Sequence, residues 1–326
     1  MTETINTERF DIYNLPPLDR KGKIFVDGLE ERVNRSLEFI KTQYPNFEKL
    51  NLAIDFIEYH NSDAVKAHFE QLERVGYFPA TETEMELDHA IKHALIGSYK
   101  AAFSDLRRAL ELTLTSLYLT SEHTDKKQAV QWVTSQTNTP YVSEMLQKLI
   151  KSGRYKDIND NYKWSANLKQ FYWNISDFAH NKGQLKSYRQ LNETNCFMSG
   201  TSAPRINLKT LSIFCDAYIT CMEEIVVMLS LYNPVIIVAL PMFEKFGTNP
   251  PMSGFYEEHQ SEVVNQLIPS RYKAFFENLK QTDKEIKGLV EWVTSQPDLT
   301  QEQIEEQIRQ DKKFMDDLNS GKYDKH

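Results

Sequence analysis

Cysteine is scarce in this chain. Three residues, Cys196, Cys215 and Cys221, occur in 326, and none has CxxC spacing, which excludes a disulfide framework and a cysteine-built zinc site. Glycine (11) and proline (12) are also few for this length, so a sandwich or barrel with its many tight turns is disfavoured. Positive charge is not in excess. The formal charge of −8 excludes a broadly basic nucleic-acid coat, although it leaves room for a local basic site. No GxxxxGK, GxGxxG or GxSxG motif is present, which removes the sequence basis for nucleotide hydrolysis, dinucleotide binding and a nucleophile elbow. No alternating apolar and polar run is longer than a few residues, and Lys23–Val26 and Val235–Leu240 alone are candidates for short strands. The first residues lack the basic and apolar regions of a secretory signal, so the cytoplasm is the expected compartment.

What is present is helical spacing. Leu29, Val33, Leu37 and Ile40 share one face before Pro45, and two further helices are expected around Leu50–Ile57 and Ala64–Val75. From Thr81 almost forty residues run without proline and with only Gly97, which reads as a pair bent at Gly97 or as one continuous helix. Short helices follow at Lys126–Ser135 and Ser143–Lys151, then longer ones at Tyr162–His180 and Leu208–Tyr232. Beyond the loop Phe246–Phe255 come three short helices and an acidic tail. The expected fold is all-α, a helical bundle core with helical N- and C-terminal extensions, divided as 1–80, 81–243 and 244–326.

Ile225–Phe243 runs nineteen residues without a charge and passes a simple hydropathy window for a membrane span. Asn233-Pro234 in its middle removes a helix hydrogen bond, and its flanks, Glu223, Glu224 and Glu244, are acidic. The expectation is a buried helix to Tyr232, a turn, and a short buried segment, with no membrane partner.

Two polar segments are candidates for chemistry. Arg107, Arg108 and Glu111 share neighbouring faces of one helix, while Asp177 and His180 close another. An imidazole at a helix end is an acid–base candidate; an arginine beside a carboxylate reads equally as a structural ion pair. His89 and His93 have the i, i+4 spacing of metal ligands, but Ala90 occupies the place of the glutamate in the catalytic zinc motif. No metal or other cofactor is therefore expected. Lys151, Arg154, Lys156 and Lys163, interleaved with Trp164, form a modest basic and aromatic footprint for nucleic acid.

The runs GSYKAAFSDLRRALE (Gly97–Glu111) and FYWNISDFAHNKG (Phe171–Gly183) resemble the HEPN superfamily of small helical bundles, found in many prokaryotic toxin and antiphage-defence proteins. The resemblance covers about 81–243. It implies a homodimer and, in the family's ribonucleases, an Arg followed after four to six residues by a His. His180 matches the His, whereas Trp173, Asn174 and Ile175 occupy the Arg positions. The implied function is RNA-directed toxicity or defence, with His180 acting on the 2′-hydroxyl or leaving oxygen, Arg107 or Arg108 stabilising phosphate charge, and RNA as partner. The rival expectation is a non-catalytic interaction or assembly module that meets a protein partner through its C-terminal helices.

Overall fold

The computed structural model describes residues 28–47, 50, 77–179, 206–249 and 258–320. Among these are thirteen α-helices, one 3₁₀ turn and no strand, so the chain is all-α. The expected helices between Leu50 and Gly76 lie outside the described residues except for Leu50 itself, as do His180 and Lys23–Val26.

α1 (Leu29–Gln43) leads to a turn at Tyr44–Phe47. α2 (Tyr77–Leu95) and α3 (Tyr99–Leu119) form a hairpin, so Gly97 separates two helices instead of lying within one. Gly97 has a φ of 84°, a left-handed conformation that a side chain resists. α2 begins four residues before the expected start, with Pro79 in its first turn, where no amide hydrogen bond is lost. α4 (Lys126–Val133), α5 (Val142–Leu149) and α6 (Gly153–Tyr162) follow, then α7 (Trp164–Ala179). The break between α6 and α7 falls at Lys163, whose φ of 54° ends α6 with a left-handed cap.

α8 (Leu208–Tyr232) explains the uncharged run. It packs against α1, α3, α6, the 3₁₀ turn Pro234–Ile237 and α10 (Glu258–Leu267). Every residue from Glu224 to Leu231 is buried, as a helix enclosed on all sides requires. Pro234 stops the helix, and Val235, Ile236 and Ile237 are buried in the 3₁₀ turn. No helix among the described residues is long and apolar enough to cross a membrane.

After α9 (Met242–Phe246) and α10 come α11 (Ser270–Thr282), α12 (Lys284–Ser295) and α13 (Gln301–Asn319). The supposed acidic tail is thus largely helix. Thr300 and Gln303 form a reciprocal capping box that starts it. One apolar cluster extends from Ile40 and Leu50 through α2, α3 and α8 to Phe276 and Val293, crossing both expected junctions at 80/81 and 243/244.

α8 carries one fully buried charge. Glu224, 1% exposed, accepts a 3.2 Å hydrogen bond from Trp164 Nε1 and pairs with Arg271 on α11. A buried carboxylate is tolerated only when paired and hydrogen-bonded. Glu224→Ala is expected to lower stability by about 2–3 kcal/mol, because it strands an indole N–H and a guanidinium. Glu224→Gln, which can still accept from Trp164, should cost less. Chemical denaturation midpoints of the three proteins test the ranking.

Candidate functional site

The polar residues of α3 divide into two groups that serve different neighbouring helices. Residues 107 and 111 are one turn apart and face α7. Arg107 Nε donates to Tyr172 Oη at 2.8 Å, and a second guanidinium nitrogen reaches Glu111 Oε1 at 2.7 Å. Tyr172 also donates to Glu111, and the Arg107 guanidinium lies 5.4 Å from the Tyr172 ring centre. Burial, reinforced by the hydrogen bond to Glu111, pushes the Tyr172 phenol up to about 12, so it stays a donor at neutral pH. Burial disfavours the Arg107 cation, but Tyr172 and Glu111 raise its pKa above the ordinary value.

Arg108 turns the other way. It pairs with Asp105 on its own helix and, at 2.8 Å, with Glu86 on α2. His93 Nδ1 donates to Asp105 Oδ2 at 2.6 Å, which joins the hairpin a second time. The Asp105 side chain is 2% exposed and that of His93 is 41% exposed. Burial raises the Asp105 pKa, while His93 and Arg108 hold it down. A carboxylate that fixes one imidazole nitrogen orients the ring as an acid–base group. Among the described residues, no three His, Cys, Asp or Glu side chains are grouped to hold a metal.

Arg107, Arg108 and Glu111 therefore do not form one cluster beside Asp177. Arg107 and Glu111 meet α7 at Tyr172, more than one turn before the half-buried Asp177. Arg108 belongs to the α2 side. His180 lies outside the described residues. Sequence reading missed Tyr172 and the Glu86–Arg108–Asp105–His93 chain, because neither local spacing nor residue type reveals which helix faces which.

No family model, curated protein or solved structure matches the chain. Its site must be read from its own geometry, and the HEPN resemblance rests on the two segments that carry it.

The expected nucleic-acid footprint is altered by packing. Trp164 is fully buried and has its indole on Glu224, so it cannot stack on a base. Arg154 is bidentate to Asp283 at 2.7 and 3.1 Å and reaches Glu285 at 2.6 Å, which ties α6 to the start of α12. Lys156 pairs with Asp160 one turn away. Lys151 and Lys163 are exposed. Two of the five residues are thus structural, and a third has its charge compensated.

The Arg154 link sets a pH dependence. Burial, the largest influence on Asp283, raises its pKa, but Arg154 and the amides of Glu285 and Ile286 pull it below the ordinary value. A carboxylate whose pKa is lowered on folding stabilises above its unfolded pKa, about 3.9, and loses that contribution as pH falls through the lowered value. Arg154→Met should therefore destabilise the protein at pH 7 and pH 5, with the deficit shrinking as the solution passes below about pH 4. Thermal unfolding of both proteins across that range is the check.

Proposed function

We propose that the chain is a non-catalytic helical assembly module that pairs with a second copy of itself through α13. The observation that carries this reading is the state of that helix. α13 buries none of its nineteen residues, while Ile308, Met315 and Leu318 are 49%, 51% and 48% exposed. With the half-buried Ile304 they recur at spacings of four, seven and three, an apolar stripe along one side. Burying such side chains is worth about 1.5–3 kcal/mol each when complete, and a matching helix would bury them.

A second copy suits the stripe because an identical helix presents an identical apolar stripe. An antiparallel pair centred on Arg309–Gln310 sets Ile304 of each helix against Met315 of the other. The commitment of Arg154 and Trp164 to the fold weighs in the same direction, since it removes the strongest groups of the RNA footprint. A toxin or antiphage setting follows from the HEPN resemblance alone.

Sedimentation of the full chain should give a dimer at micromolar concentration, and Ile308→Glu with Met315→Glu should give a monomer with unchanged helix content. A wild-type protein that stays monomeric at about 100 μM overturns the reading, because four such side chains should associate well below that concentration.

RNA cleavage is a second reading, favoured by one observation: Arg107 faces α7, the helix that leads towards His180. In this reading His180→Ala abolishes hydrolysis of single-stranded RNA and leaves the melting temperature within about a degree of wild type. Absence of hydrolysis by the unaltered protein retires it.

A further inference from the structure

A groove of about 380 Å³ lies between the turn after α1, one face of α8 and the end of α10. The turn is fixed in place. Tyr44 Oη meets Ser212 Oγ at 2.7 Å and Asp216 Oδ1 at 3.0 Å on α8, and Phe47 packs 5.4 Å from the Tyr218 ring centre. The opposite wall is also fixed, because Asn265 of α10 donates to the Ile237 carbonyl of the 3₁₀ turn at 3.0 Å. The groove is therefore preformed, and its volume falls within the range of small-molecule sites.

Its lining is mixed, with apolar walls, the amides of Gln43, Asn46 and Gln266 at its edges, and one charge. Phe47, Leu50, Ile219, Val263 and Leu267 supply the walls, and Glu223, one turn beyond Ile219 on α8, supplies a carboxylate. Glu223 has no hydrogen bond or ion pair among the described residues. The cation behind it, Arg271, is already engaged by Glu224 and stacked 4.7 Å over Tyr272. One guanidinium thus serves two carboxylates, and among the described residues the one turned to the groove has only its long-range attraction. Burial raises the pKa of Glu223, and Arg271 offsets only part of that cost. A partly desolvated carboxylate between aromatic and aliphatic walls is complementary to a cation with an apolar body.

We infer that this groove binds a small organic ammonium, with the charged nitrogen on Glu223 and the apolar body against Phe47, Ile219 and Val263. The class is a monoamine attached to a ring or short alkyl body; a carboxylate of the same shape would meet Glu223 with like charge.

Three probes of one shape test the inference on the full chain: tryptamine, tryptophol and indole-3-propionate, titrated by calorimetry at pH 7. Tryptamine should bind at least about tenfold more tightly than tryptophol, the increment expected of one charge-assisted hydrogen bond, and indole-3-propionate should be weakest. Glu223→Gln should bring tryptamine and tryptophol to within about twofold with little change in melting temperature, because the carboxylate makes no hydrogen bond among the described residues. Glu223→Lys should reverse the order of the two charged probes. Equal binding of all three probes, no binding at millimolar concentration, or an ammonium preference that survives Glu223→Gln would each overturn it.

Discussion

A helix enclosed on every side cannot carry an unpaired charge, and α8 is such a helix. Its segment Glu224–Leu231 meets protein all round, so the carboxylate of Glu224 must find partners on neighbouring elements. Those partners set much of the arrangement around it. Trp164, the first residue of α7, turns inward to donate to Glu224, and Arg271 brings the start of α11 to the same atom group. The burial of Trp164 in turn depends on the left-handed cap at Lys163, which lets α6 and α7 leave in different directions. One buried carboxylate thus couples the central helix to two elements far apart in sequence.

The same economy governs the arginines. Arg107 links α3 to α7, Arg108 links α3 to α2, Arg154 links α6 to α12, and Arg271 links α11 to α8. A guanidinium suits this task because its planar fork satisfies several acceptors at once and stays charged when partly buried. In a chain of net charge −8, cations committed to such links are unavailable for phosphate. That distribution favours an internal role for the most conspicuous basic residues over recognition of nucleic acid.

The helical class was legible because amphipathic spacing is a local property, and the end of α8 was legible because Pro234 acts on the residue next to it. The partner of Arg154 was not, since Asp283 lies 129 positions away and no local pattern announces it. Trp164 reads both as the start of the apolar spacing Trp164, Leu168, Ile175 and as an aromatic within a basic stretch, and its burial on Glu224 decides for the first. Arg107 and Arg108 differ by one position, about 100° around a helix, and so serve different neighbours. The Thr300–Gln303 box that begins α13 is a local signal and was available, but the charge density of the following residues concealed a helix without a buried face.

Glu223 and Glu224 bring these points together. Adjacent in sequence and alike in chemistry, they are separated by the same rotation, which sends one into the core and the other to the edge of the groove. The core residue takes both the indole and most of the guanidinium, since the cost of leaving a charge unpaired rises with burial. The residue at the edge keeps part of its hydration and tolerates the shortage. Arg271 cannot be drawn toward Glu223 without weakening Glu224, where removal of a partner costs more. The shortage at the groove is therefore a consequence of the pairing that closes the core, and not an independent defect of the surface.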